Sequence, residues 1–276
     1  MGNHLKPDEM LARTSQIGQA KAASSLKKLL ILGLLAGAFI AFAAHGSNMA
    51  AMGLLSSPET YGLGRLVAGV VFTPGLILVL LAGAELFTGD VLMIIPTLEG
   101  KISVFQLLRV LVLVYLANCA GGLLISWMMH YSGLFAAGGG MLGATTVKIA
   151  TAKTSLTFGK AVVLGILCNW LVCLGVWMSF GTDSTVGKML SAFFPVCLFV
   201  AGGFEHSIAN MYYIPAGLLA KETYGAASGA SSEALASLTW GGFLENLLPV
   251  TMGNLLGGMV FVGVAYLLAY GKKGKA

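Results

Sequence analysis

Charge is scarce in this 276-residue chain. Lys, Arg, Asp and Glu together make up 10% of it against 57% hydrophobic residues, and the mean hydropathy is +0.86. That imbalance excludes a soluble globular domain and leaves a polytopic helical membrane protein. Nucleic-acid binding is excluded too, because the formal charge of +5 comes from basic residues that never gather into a patch with interleaved aromatics. The four cysteines, Cys119, Cys168, Cys173 and Cys197, all fall in apolar runs. They lack the paired spacing of a zinc site and the extramembrane position a disulfide needs, so they read as thiols packing as small apolar groups. No His-Glu-x-x-His or Gly-x-Ser-x-Gly motif occurs, so no metal and no cofactor is expected. The first 25 residues are polar and charged, unlike a cleavable signal, and the first apolar run is of span length.

Against that background two polar clusters stand out inside apolar runs: Gly83-Ala84-Glu85-Leu86-Phe87-Thr88-Gly89-Asp90, and Gly202-Gly203-Phe204-Glu205-His206-Ser207-Ile208-Ala209-Asn210. Carboxylates and an imidazole at bilayer depth persist where they pair or line a cavity, and non-helical backbone is tolerated there on the same condition. Both clusters therefore read as breaks in helices that meet at the middle of a pore. Pro74, Glu85 and Pro96 are spaced 11 and 11 residues apart; Pro195, Glu205 and Pro215 are spaced 10 and 10. Asn118-Cys119-Ala120-Gly121-Gly122 further on is echoed by Asn254-Leu255-Leu256-Gly257-Gly258. A duplication of three spans per half puts the second half upside down in the membrane, the inverted-repeat plan of many transporters.

The expected order is an N-terminal cytoplasmic segment (1–26) and a membrane domain (27–271), followed by a basic tail (272–276). Repeat one covers 27–130 and repeat two covers 156–271, each with one broken helix, giving six crossings. Pro7-Asp8-Glu9 marks a helix start in the N-terminal segment, with Met10, Leu11 and Ile17 as a thin apolar stripe suited to a membrane surface or a neighbouring subunit. Residues 131–155, with Gly138-Gly139-Gly140, read as a long loop, as do the Ser/Ala/Gly-rich residues 221–243. Placing both termini in the cytoplasm puts eleven Lys and Arg residues on that side against five on the other.

His206 is the one histidine in the middle of an apolar run, and its unperturbed pKa near neutrality suits either a proton donor or a cation. On a continuous helix it shares a face with Phe199, seven residues before it, and Asn210, four after. Phe72 and Leu76 are four apart ahead of the first break; apolar rings over one polar group suit a narrow gate. Glu85 and Glu205 are expected to accept amide hydrogens freed where the helices break. Lys153, just before the fourth span, puts a positive charge at a mouth, where it enriches small anions.

At these residues the chain resembles the formate/nitrite transporter family. The motifs are Gly83 to Gly89 in the first break, Gly203 to Met211 in the second, Leu164-Gly165-Ile166-Leu167-Cys168-Asn169-Trp170-Leu171-Val172-Cys173, and Leu248-Pro249-Val250-Thr251-Met252-Gly253-Asn254. The resemblance implies an all-α, aquaporin-like bundle of six transmembrane helices, assembled as a homopentamer in membrane lipid with one pore per subunit. It also implies carriage of small weak-acid anions such as formate, nitrite or hydrosulfide. By the same carry-over Phe72, Phe87 and Phe199 form one constriction, and Leu76, Leu86 and Val172 the other. Thr88 and His206 lie between them, with Asn169 and Asn254 as polar neighbours and Lys153 in the outer vestibule. Formate is the substrate the motifs favour, and Asp90, an acid after Thr88-Gly89, departs from the family pattern. A water channel of the same plan would carry paired Asn-Pro-Ala motifs, and none occurs. The alternative from another class is a membrane-embedded enzyme with His206 and Glu205 as acid and base.

Overall fold

The computed structural model describes residues 4–271; the basic tail lies outside them. Among these residues there is no strand, and six helices are long and apolar enough to cross a membrane. In chain order the helices are α1 (Pro7–Ala22), α2 (Leu26–Ala51), α3 (Tyr61–Gly83), α4 (Phe87–Leu98), α5 (Val104–Tyr131), α6 (Met141–Thr154), α7 (Phe158–Phe180), α8 (Thr185–Gly202), α9 (Ser207–Tyr224), α10 (Ser232–Ser237) and α11 (Trp240–Tyr270). Their starts follow local capping chemistry. Ser25 accepts the amide of Lys28, and Ser103 forms a reciprocal capping box with Gln106.

Two three-helix repeats are evident. In the first, α2 packs along α5 and the broken pair α3/α4 completes the unit; in the second, α7 packs along α11 with the broken pair α8/α9. Glycines permit the close approaches. A Cβ on Gly37 would run into the backbone of Asn118, and one on Gly253 into the backbone of Val162.

Each break begins the same way. Gly83 and Gly203 adopt left-handed φ of 81° and 79°, and the next amide reaches back to a carbonyl five residues earlier, Ala84 to Val79 at 2.9 Å and Phe204 to Phe199 at 3.1 Å. This is the glycine-terminated helix end that a side chain strains by about 1–2 kcal/mol. Gly203→Ala is therefore expected to lower stability by about that amount, read as a fall in the unfolding midpoint in detergent.

Residues 131–155 are not a loop throughout, since α6 occupies Met141–Thr154 and buries Leu142, Val147 and Ala150 against α9. Its composition is too polar for a span, and packing rather than hydropathy makes it a helix. The stretch 221–243 likewise holds α10. The N-terminal helix docks on its own chain, against α4, α5, α7 and the end of α11. Met10, Leu11, Thr14, Ser15, Gly18 and Ala22 are buried there, and Ile17 lies at the margin. Leu5 donates its amide to the Gly181 carbonyl at 2.8 Å, and Arg13 pairs with Asp183 at 2.5 Å. That guanidinium holds the exposed Asp183 carboxyl below its ordinary pKa.

A candidate pore between two charged cavities

The two breaks are held by one asparagine each. Asn118 Nδ2 donates to the carbonyls of Gly33 at 2.7 Å and Glu85 at 3.0 Å, and its Oδ1 accepts the Phe87 amide at 3.0 Å. Asn254 repeats this on Gly165 and Glu205, both 2.9 Å, and on the Ser207 amide at 2.9 Å. The amides of Glu85 and Glu205 complete the pattern by donating to Leu32 and Leu164, both at 3.2 Å. Asn254 thus binds broken backbone. The expectation that Glu85 and Glu205 cap freed amides is corrected: a carboxylate only accepts, whereas an amide side chain donates and accepts and so satisfies both sides of a break.

The carboxylates instead meet lysines. Glu205 Oε1 takes Lys153 Nζ at 2.7 Å, and Oε2 takes Asn210 Nδ2 at 2.6 Å. Asn210 also donates to Asn246 Oδ1 at 2.8 Å, and Asn246 donates to the Lys153 carbonyl at 2.9 Å, closing a ring. Lys153 Nζ sits 5.2 Å from the Tyr213 ring centroid. At the other break Lys21, from α1, contacts Glu85 and Asp90, each at 2.5 Å. Burial opposes the Lys21 charge, but Asp90 and Glu85 outweigh it and push its pKa above the ordinary lysine value. Lys21 is a residue of this site that the sequence alone did not single out. Its signal was its place three residues after Gly18 and seven after Thr14, on the buried stripe of α1.

Each ion pair borders a cavity. One, of about 340 Å³, is walled by Arg65, Lys148, Lys153, Glu205, Phe72, Phe199 and His206 among others. The second, of about 360 Å³, is walled by Lys21, Lys28, Glu85, Asp90, Leu76, Leu86 and Val176 among others. Helix α2 runs from the second cavity (Lys28) to the first (Asn48), about 30 Å at 1.5 Å per residue. Helix α7 runs the opposite way, from Leu164 at the first cavity to Phe180 at the second. The repeats are therefore inverted.

Apolar side chains line both cavities. Phe72 and Phe199 meet edge to face with centroids 5.7 Å apart, and Phe199 stacks on the His206 ring at 5.8 Å. That stacking comes from the Gly203 turn and not from a continuous helix face, since α8 ends at Gly202. Leu76 and Leu86 are buried on the Lys21 side; Val172 is buried on α7, one turn before Val176. Phe87 is buried as well, but its ring packs on Tyr115 at 4.8 Å, because its amide is pinned to Asn118 on the same helix as Tyr115.

Beside Phe199, Thr88 Oγ1 meets His206 Nε2 at 2.9 Å; the two residues are 0% and 3% exposed. His206 Nδ1 accepts the Ala209 amide at 3.1 Å, capping α9. Since Nδ1 is the acceptor there, the neutral ring carries its proton on Nε2 and donates to Thr88. A second proton, on Nδ1, would displace the capping amide. The Thr88 carbonyl is fixed by Asn169 Nδ2 at 3.2 Å and Cys173 Sγ at 3.2 Å, so this thiol donates a hydrogen bond besides packing. Asn169 also donates to the Asn254 carbonyl at 2.7 Å, while its buried Oδ1 has no partner.

Two cavities with charged and apolar walls, set at opposite ends of inverted repeats, mark a membrane transport protein. The family model described as "Formate/nitrite transporter" matches residues 8–268, and the chain belongs to that family. It is 40% identical over 274 residues to "Uncharacterized transporter YrhG" of Bacillus subtilis (strain 168), covering 98% of this chain and 96% of that protein. It is 38% identical over 271 residues to "Formate channel FocA" of Escherichia coli (strain K12), covering 96% and 94%. Among solved structures, "Pentameric formate channel with formate bound" superposes with a TM-score of 0.81 at 39% identity, over 89% of this chain and 97% of the other. The chain is thus a transporter and not an enzyme.

Proposed function

We propose that the protein is a proton-linked channel for small monovalent anions of weak acids, with formate as its main substrate. It works as a homopentamer in lipid, with one pore per subunit and both termini in the cytoplasm. The observation that carries this reading is the Thr88–His206 contact, a buried neutral hydrogen-bonding pair with Phe199 stacked on the imidazole and Phe72 against Phe199. A relative named as a formate channel and the formate-bound pentamer of the same fold support the substrate and the assembly. The excess of Lys and Arg on one side supports the orientation, and the exposed apolar side chains on α2, α3, α5, α7 and α8 suit lipid or neighbouring subunits.

Stripping a monovalent anion of water among such apolar side chains costs several kcal/mol even after relaxation, whereas the polar groups of a neutral acid cost roughly 1–3 kcal/mol, less when hydrogen-bonded. Arg65, Lys148 and Lys153 against Glu205 leave the outer cavity net positive, which concentrates anions there. The low dielectric among the apolar side chains then favours the protonated acid, with water in the cavity supplying the proton. The Thr88 hydroxyl, bonded by His206 Nε2, offers the acid a partner as it passes. Proteoliposome uptake compared among formate, nitrite and hydrosulfide tests the substrate assignment. Formate is expected to enter fastest; faster nitrite or hydrosulfide entry would transfer the assignment to that anion.

A further inference from the structure

The two breaks differ at one matched position. Asn210 follows Glu205 by five residues and donates to its carboxylate at 2.6 Å. Asp90 follows Glu85 by the same interval, and one ammonium, Lys21 Nζ, lies 2.5 Å from an oxygen of each, which brings the two carboxyl groups together. Two ionised carboxylates held around one ammonium repel each other, and Asp90 can take the part of Asn210, a donor to its glutamate, only when protonated. Lys21 bonds one oxygen of each acid, while Asp90 Oδ2 has no hydrogen-bond partner although Asp90 is 1% exposed and walls the cavity. One buried ammonium leaves the pair of acids one negative charge in excess, and two carboxylates sharing a site resist double ionisation.

From this geometry we infer that Asp90 and Glu85 form a proton-binding site in the Lys21 cavity, and that occupancy by one proton sets whether the cavity admits anions. The inference rests on the weak-acid channel reading above, including its placement of this cavity on the cytoplasmic side. With both acids ionised, Lys21 and Lys28 only balance them, and the cavity has no net charge to draw an anion. With one proton bound, the cavity carries one net positive charge and resembles the Lys153 cavity. From α7 the Cys173 thiol faces this segment through the Thr88 carbonyl, and His206 lies beyond Thr88; Tyr115 of α5 packs on Phe87 and bonds Thr251. Lys28, from α2, is exposed at the cavity mouth. The site takes up and releases a proton without any other bond breaking: the O–H bond forms on Asp90 Oδ2, the buried oxygen without a partner.

The Asp90→Asn variant tests this, because asparagine at the matched position already stands beside a glutamate in repeat two and leaves the fold intact. Infrared spectra of the purified protein near neutral pH are expected to contain the C=O band of a protonated carboxylic acid that the variant lacks. In everted membrane vesicles, whose cytoplasmic face is outward, the variant mimics the protonated site permanently. Its formate uptake is expected to exceed wild type several-fold in an alkaline bath and to converge with it as the bath is acidified. Taking the ratio removes the pH dependence common to both proteins. Identical infrared spectra, or an uptake ratio that does not change with bath pH, would overturn the inference. Absence of formate uptake by the wild type would count against the channel reading instead, and the infrared comparison would still decide whether the proton is bound.

Discussion

Asn254→Ala is expected to abolish accumulation of folded protein or to lower its unfolding midpoint sharply. The side chain satisfies three buried backbone groups at the second break, the carbonyls of Gly165 and Glu205 and the amide of Ser207. Each buried group left unpaired costs about 1–3 kcal/mol, so the loss is on the order of 4 kcal/mol or more, much of the stability of a typical fold. Asn118→Ala removes the mirror-image set at the first break and is expected to cost a similar amount. Thermal unfolding followed by gel filtration in detergent reads both. A polar pore-lining role alone would leave stability unchanged and alter transport only, and that result would refute the bracket assigned to Asn254.

His206→Asn is expected to do the reverse, leaving stability nearly intact and cutting transport. Asparagine is among the best helix N-caps, so it can take over the bond from the Ala209 amide. What it removes is the Nε2 contact with Thr88. A buried neutral group left unpaired costs about 1–3 kcal/mol, which corresponds to roughly a fivefold to hundredfold fall in formate flux. Thr88→Val removes the other partner with little change in volume and should produce a comparable fall. Because the two side chains act through one contact, the double variant should fall little further than either single one. Flux through purified variants in liposomes measures this. Wild-type flux and pH dependence in His206→Asn would eliminate both a donor role and an anion-holding role for the imidazole.

The helix breaks were legible because Glu85, Glu205 and His206 are too costly at bilayer depth to be lipid-facing, and because the proline spacing and the Asn-Gly-Gly echoes repeated around them. What Asn118 and Asn254 do was not legible, since nothing local distinguishes an asparagine that brackets backbone from one that lines a pore. Their partners Gly33 and Gly165 are 85 and 89 residues away. Helix α6 escaped notice for a related reason. Its sequence, with three glycines just before it and lysines at 148 and 153, reads as a connection, and its helicity depends on burial against α9. The docking of α1 is a third case: a thin stripe of Met10, Leu11 and small residues is compatible with lipid, a neighbouring subunit or its own chain. Only the tertiary arrangement brings Lys21 to Glu85 and Asp90.

The Phe72–Phe199 pair lines the Lys153 cavity and Leu76 and Leu86 line the Lys21 cavity, and we propose that these side chains form an apolar plug between the two. A plug of that composition passes a neutral molecule far more readily than a charge. The most direct test records vesicle interior pH with a trapped dye while formate enters purified protein in liposomes, with protein-free vesicles as the baseline. The predicted result is interior acidification in proportion to formate uptake, at a rate that rises as the bath is acidified and ignores a clamped membrane potential. Uptake that follows the membrane potential and leaves interior pH unchanged would contradict it.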